Sequence, residues 1–442
     1  MDKKHSVLSS IVKYILTFFA TAFVCFGLLF LVTLIPQSAI KKNVQESADY
    51  LCQKELFEYI IKDVDSSKQD RYADSILLGI IWQLDPDRPL RSMMETGYYS
   101  DEDGVENEAL YRAVNDNLAT NKEYLRYWHG SAIWVKPLLL ILNIKEIYVF
   151  NAVILMIGLI SSLILLAKRK AYIPLVALVI SLILISIWFV PLSLEYTWCF
   201  LIMFIFLDIL FLFYDKLSGK SISTLFLVFG IITSFFDFLT TELITLFVPL
   251  LMLLWLEKNQ SKREKSVSNK INYLETIKRV VLWGIGYTFM WMLKWLLAAI
   301  VLRKNVLPGI KDQIDLRIGG EYMAQVELPL LDYIKRALFK NIKCLFPLEY
   351  GWGGIIVAFV IFAVVLYIFF VYHSKNFDKG LCVMYICICI IPYIRYMVLH
   401  NHSFLHFAFT YRSQMICILC VFFCMDEVSF SNLLEHFKSK KT

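Results

Sequence analysis

The 442-residue chain is 58% apolar and only 19% charged, where a soluble domain runs near roughly 45–50% and 25%. Apolar runs of about 18 residues or more recur along it, which excludes a soluble globular enzyme and predicts an all-α polytopic membrane protein. The net charge of +6 is unevenly spread: the stretch from Pro36 to Gly130 holds eighteen Asp/Glu against eleven Lys/Arg, so it carries −7 and the remainder +13.

That asymmetry sets an orientation, because cytoplasmic loops of membrane proteins collect Lys and Arg. A short basic start (Lys3, Lys4) precedes the first expected span, Ile11 to Ile35, which is too long for a signal-peptide core. Residues 36–130 then form a large first extracytoplasmic loop with interfacial helices. In it, Gln45 to Val64 reads as an amphipathic helix, Ala73 to Leu84 as an apolar segment too short to span, and Asp85-Pro86-Asp87-Arg88-Pro89 as a turn. Residues 131–302 carry spans two to seven, opened by a re-entrant or interfacial segment, Ser131 to Asn143. The run Ile222 to Leu256 is too long for one crossing and reads as two short spans joined at Phe236 to Glu242. Residues 303–353 form a second extracytoplasmic loop with an amphipathic helix, Leu330 to Phe346, which places Lys335, Arg336, Lys340 and Lys343 opposite an apolar stripe. Residues 354–442 hold spans eight to ten and a basic tail. The count is about ten spans in a single multi-pass domain of the bacterial plasma membrane, both termini cytoplasmic, with the basic loops at 168–170, 215–220, 257–272 and 373–380 on the inside. Most of the ten Cys lie within apolar runs, where Cys acts as a small hydrophobe. Cys52 and Cys344 lie in polar loops, and a bridge between them is left open.

The unusual polar residues fall on the outer side. Asp74 opens an apolar interfacial segment and reads as a helix N-cap, as a carboxylate able to take a proton from an acceptor hydroxyl, or as both. Arg126-Tyr127-Trp128-His129-Gly130 reads as an interfacial aromatic belt or as a stacking Trp beside a His. Asp237 and Glu242 put two carboxylates in a turn where a plain hairpin would favour Gly, Asn or Pro. Glu195, His400, His402, His406 and Tyr411 lie at the same level. Ser403 is placed to cap the last span, and His402, His406 and Thr410 share a face. Arg412, deeper in that span, needs an anion or a watery cavity, and a lipid phosphate would suit its fork. The cytoplasmic side offers no phosphate-binding Gly loop, so a nucleotide-sugar enzyme is excluded, and no nucleic-acid partner is expected.

With an N-in first span, a large exported first loop bearing an Asp, and short paired spans, the chain resembles the GT-C integral-membrane glycosyltransferases. The strings Tyr72-Ala73-Asp74-Ser75, Arg126 to Gly130, Phe236 to Thr241 and Asn401 to Arg412 look like an uncharacterised bacterial multi-pass group related to them. The resemblance implies a sugar transferred from a polyprenyl-phosphate donor to a glycan, lipid or protein acceptor on the outer face. In that picture Asp74 is the base. Arg412, His402, His406 and Tyr411 hold the donor phosphate, and Arg126, Trp128, His129, Asp237 and Glu242 support the site. No cofactor is required, with room left for a divalent metal. A lipid-linked glycan polymerase or ligase, and a transporter or flippase with a polar path through both leaflets, are the competing readings.

Overall fold

A computed structural model describes residues 2–263, 272–318, 329–372 and 377–430. It is built of helices, with one two-residue antiparallel strand pair, Gly97–Tyr98 (β1) and Lys122–Glu123 (β2). The helices run α1 (Asp2–Thr33), α2 (Gln37–Cys52), α3 (Arg71–Trp82), α4 (Pro89–Glu95), α5 (Glu106–Asn115), α6 (Ala132–Leu138), α7 (Ile144–Lys168), α8 (Tyr172–Leu184), α9 (Thr197–Phe213), α10 (Gly219–Phe236), α11 (Leu243–Arg263), α12 (Tyr273–Leu302), α13 (Leu307–Ile318), α14 (Leu330–Lys343), α15 (Gly351–Val371), α16 (Lys379–Val398), α17 (His400–Leu405), α18 (Phe407–Thr410) and α19 (Met415–Met425).

Among the described residues eight helical stretches are long and apolar enough to cross a bilayer, which makes the protein multi-pass. They are Leu8–Thr33, Ile144–Lys168, Thr197–Lys216, Gly219–Phe236, Tyr273–Leu302, Gly351–Val371, Lys379–Val398 and Phe407–Val428. Two of the expected ten are not among them. The third ends early: α8 has 13 residues, Ser186 takes a left-handed conformation, and a 3₁₀ turn follows at Ile187–Leu192. The sixth is α11, whose apolar part gives way to Glu257 and Lys258. Lys265, Lys270, Lys375 and Lys438 to Lys441 lie outside the described residues.

The first polar stretch differs in detail from its periodicity. The helix expected over Gln45 to Val64 instead runs Gln37–Cys52 and stops. Asp63 adopts a left-handed backbone, and Tyr59 pairs with Lys68 in a bridge that turns the chain back. Phe57, Ile60 and Ile61, the apolar residues that suggested a longer helix, are exposed. Cys52 and Cys344 are both free thiols.

Two buried lysines tie this stretch to the helices behind it. Lys136 Nζ donates to Leu84 O at 3.1 Å and Thr33 O at 3.5 Å, and Lys294 Nζ donates to Met93 O at 2.8 Å and Met94 O at 3.0 Å. These carbonyls close α1, α3 and α4, where the last turn leaves acceptors without an intrahelical donor and the dipole favours a cation. Behind them α10 and α12 meet backbone to backbone. A Cβ on Gly230 would sit 2.2 Å from Trp283 O, and one on Gly286 2.4 Å from Leu227 O. Small residues allow this approach, which gives apolar helices in lipid their packing contact.

Polar contacts divide the bundle into two ends. At one, Tyr148 and Leu194 meet Asp74, Glu349 meets Ser66, Phe346 meets Leu184, Tyr333 meets Asn401, and Arg395 meets Glu242. At the other, Arg169 meets Asp215, Arg279 meets Glu257, and Lys258 meets Glu427.

Candidate active site

A cavity of about 640 Å³ opens at the first of these ends. Its polar lining is Lys68 and Asp70 from the segment before α3, Arg126 and Tyr124 from the segment before α6, Glu195 from the loop before α9, and His402 and His406 from α17 and its end. Leu56, Phe57, Leu405 and Phe409 supply an apolar wall. With Gly104 and Phe238, seven separate stretches of chain converge on one space.

Asp70 is placed by its helix. Its Oδ1 accepts from Ala73 N at 3.0 Å, so Asp70, not Asp74, is the N-cap of α3. Burial raises the Asp70 carboxyl above its ordinary range, opposed by the Ala73 N–H and by Lys68. Burial also raises Glu195 well above the usual carboxylate range, reinforced by Asp70, Asp74 and Asp237. Two carboxylates crowded in one low-dielectric space do not ionise together easily. One can accept a proton while the other holds one.

Asp74 lies one turn into α3, buried, and does not reach the cavity wall. Its Oδ2 accepts from Tyr148 Oη at 2.5 Å and its Oδ1 from Leu194 N at 2.8 Å. Burial pushes its carboxyl up to about 7 despite both hydrogen bonds. It thus anchors α3 to α7 and to the loop that carries Glu195.

Of the residues singled out for the donor, His402 and His406 line the cavity, with ring centroids 4.8 Å apart. Arg412 and Tyr411 do not. Arg412 is fully buried, its guanidinium 4.9 Å from the Tyr196 ring and 5.0 Å from the Tyr411 ring, with Nη1 donating to Ala408 O at 2.8 Å. Tyr411 Oη donates to Ile185 O at 2.6 Å. Two aromatic faces and the Ala408 and Ser66 carbonyls meet the guanidinium, and among the described residues Nε has no hydrogen-bond partner. Ser403 lies inside α17 and caps nothing; α17 has no side-chain cap.

Among the supporting residues Arg126 lines the cavity, its Nη2 donating to Tyr124 Oη at 2.6 Å. Trp128 is buried behind it and donates to Met290 O at 2.8 Å. His129 adopts a left-handed backbone, is buried, and lies 3.3 Å through Nε2 from Tyr124 O. Burial and the nearby Lys294 hold it well below the ordinary imidazole value, so it is neutral. Gly130 follows because α10 presses on it: a Cβ there would lie 2.5 Å from Phe235 O.

Asp237 and Glu242 form a buried net rather than an exposed turn. Asp237 accepts from Leu239 N, Thr240 N, Thr240 Oγ1 and Tyr287 Oη at 2.8 to 3.0 Å. Glu242 pairs with Arg395. Neither lines the cavity. The residues the sequence reading passed over are Lys68, Asp70 and, as a member of the site, Glu195. Among the described residues no group of three or more His, Cys, Asp and Glu is arranged to hold a metal.

No protein-family model, curated protein or solved structure matches the chain. The fold and the cavity define a multi-pass, predominantly helical membrane protein with a cavity of mixed charged and apolar lining at one end of its helical bundle.

Proposed function

We propose that this protein is a membrane glycosyltransferase that moves a sugar from a polyprenyl-phosphate donor to a glycan, lipid or protein acceptor at the outer face. The observation that carries the reading is the cavity itself, where Asp70 and Glu195 share one space with Lys68, Arg126 and two histidines beside an apolar wall. In this reading Asp70 takes the acceptor hydroxyl proton. The acceptor oxygen bonds to the anomeric carbon, and the carbon–oxygen bond to the phosphate breaks with its electron pair leaving on the phosphate. General-base help of this kind contributes ~10²–10⁴-fold. Glu195, kept protonated, donates a hydrogen bond inside the site.

The orientation rests on ten crossings with both termini cytoplasmic. The 13 residues of α8 rise about 20 Å and the six-residue 3₁₀ turn after it about 12 Å, together close to the ~30 Å apolar thickness of a bilayer. The apolar part of α11, residues 243–256, rises ~21 Å, and the polar end from Glu257 carries the helix on into the interface. The alternation that results puts every loop hydrogen-bonded around the cavity on one side, and the Arg169, Lys258 and Arg279 contacts on the other. A flippase would need a polar path continuing between the helices, whereas the cavity draws its polar lining from loops and helix ends.

The test is to supply purified protein in nanodiscs with radiolabelled polyprenyl-phosphate sugars and an acceptor extract, and to follow label release from the lipid. Wild type should transfer, and Asp70→Asn should lose at least ~100-fold while remaining folded. Undiminished transfer by Asp70→Asn would remove the base assignment, and no transfer with any donor would remove the reading.

A further inference from the structure

We propose that Lys68 and Lys340, which both approach the Phe407 ring, form a binding site for a phosphate-class anion, a phosphomonoester or diphosphate, at the edge of the cavity. Lys68 Nζ lies 4.4 Å from the Phe57 ring centre and 5.6 Å from that of Phe407. Lys340 Nζ lies 3.8 Å from Phe404 and 4.7 Å from the same Phe407. Two ammonium groups from positions 272 residues apart thus face one ring. Among the described residues neither makes an ion pair: Asp65, the nearest shared acid, pairs with Lys343 at 3.3 Å, and Asp70 caps α3.

Bringing two cations together costs free energy that Asp65 and Asp70, neither of them in an ion pair with either lysine, offset only in part, and the fold enforces it. The buried face of α14 is Tyr333, Ala337 and Asn341, not the apolar stripe of Leu331, Ile334, Leu338, Ile342 and Leu345 expected for this segment. Tyr333 Oη donates to Asn401 Oδ1 at 2.5 Å, Asn341 Nδ2 to Ser403 O at 2.8 Å, and Thr410 Oγ1 to Asn341 Oδ1 at 2.7 Å. These bonds lock the helix carrying Lys340 onto the segment carrying Phe404 and Phe407. Desolvation holds both lysines below the usual ammonium range; Asp65 opposes it at both and Asp70 at Lys68, while Lys68 and Arg336 lower Lys340 further. A dianion between them relieves the repulsion and accepts hydrogen bonds from both. Lys68 and Phe57 also line the cavity, so an anion held here is continuous with it.

The inference rests on the glycosyltransferase reading only for which lipid would carry the phosphate. The experiment reads binding with no sugar and no acceptor, so failed transfer and failed anion binding remain separate results. Full-length protein in phosphatidylcholine nanodiscs is titrated with radiolabelled polyprenyl monophosphate, with and without inorganic phosphate as competitor. Lys68→Gln and Lys340→Gln should each weaken binding by about tenfold or more, as loss of one hydrogen bond to a charged group predicts. Lys335→Gln, the same charge change at an exposed site paired with Asp332, should not. Displacement by inorganic phosphate would identify the phosphate alone as the ligand, and its failure to compete would identify the lipid-borne form; either supports the site. In case the variants fold poorly, amine-reactive labelling of wild type should show Lys68 and Lys340 protected by polyprenyl monophosphate, or by phosphate alone, and Lys335 not. Binding unchanged in both Gln variants, equal loss in Lys335→Gln, or unprotected Lys68 and Lys340 would overturn the proposal.

Discussion

Arg395 grips Glu242 with two prongs, Nε to Oε1 at 2.6 Å and Nη2 to Oε2 at 3.0 Å, both side chains less than a tenth exposed. The same Nη2 also donates to Leu239 O at 2.6 Å. One guanidinium therefore holds the whole turn between α10 and α11 against α16. Removing one member of a buried pair strands the other charge, at a cost of about 3–5 kcal/mol. We expect Arg395→Met to lose most of its folded yield in detergent, measured by gel-filtration recovery. Arg395→Met combined with Glu242→Met should recover much of it, because no uncompensated charge remains. A double variant no better than the single would show that the carbonyl contacts, rather than the pair, hold the turn.

The contact of α10 with α12 makes a second prediction. Gly230→Ala puts a methyl against a backbone oxygen that cannot swing aside, so the helices must separate. Overpacking of this sort costs typically ~1–3 kcal/mol. Gly284→Ala, two residues from Gly286 on α12 and with nothing within 4 Å, is the matched control and should be neutral. Thermal unfolding of the two variants side by side reads the difference, and equal midpoints would contradict the packing described.

Asp74 supplies the pH dependence. Its carboxyl, ordinarily near 3.8, stands at about 7 in the folded protein. The folded state binds this proton more tightly than the unfolded one, so the contribution is fully present below 3.8 and is lost as pH rises towards and through 7. Asn imitates the protonated form. Asp74→Asn should therefore gain stability relative to wild type on going from pH 5 to pH 8, by on the order of 2–3 kcal/mol. A stability difference that stays flat between those pH values would mean that Asp74 is ionised throughout.

Arg412 separates a stacking role from a phosphate-binding one. Lysine keeps the charge but loses the planar face that lies against Tyr196 and Tyr411. Arg412→Lys should lower the unfolding midpoint by an amount equivalent to ~1–2 kcal/mol and leave polyprenyl monophosphate affinity within about twofold of wild type. Weakened lipid binding at unchanged stability would return Arg412 to the donor site.

What could be read beforehand followed from period and hydropathy. Long apolar runs mark α1, α7, α12 and α15 because lipid demands length. The end of α8 is harder to delimit, since nothing in Ile185-Ser186-Ile187 announces a left-handed residue and a tighter coil. The exposed Phe57, Ile60 and Ile61 extended an apparent amphipathic pattern past Cys52, because periodicity records apolar character and not what meets it. The rarity of Asp237, Glu242 and Arg412 in apolar surroundings was legible, but rarity alone does not separate a catalytic group from a satisfied structural one. Asp70 escaped for the opposite reason. It sits in a polar stretch among many acids, and only the return of the chain at Tyr59–Lys68 sets it on a cavity shared with a loop 125 residues away.

The lysine caps bear on how the chain comes together during synthesis. Lys294 follows Met94 by 200 residues, so the carbonyls closing α4 have no Lys294 to meet until α12 has been made and inserted. Lys136 arrives far sooner for Thr33 and Leu84. The amino-terminal polar stretch is thus finished in two instalments, the second supplied by a helix made late. A chain halted before residue 294 would leave the Met93 and Met94 carbonyls without Lys294, and one halted before residue 283 would also leave α10 without its glycine-paired partner, so the first third of the protein is not a unit that can be cut out and expected to keep its shape.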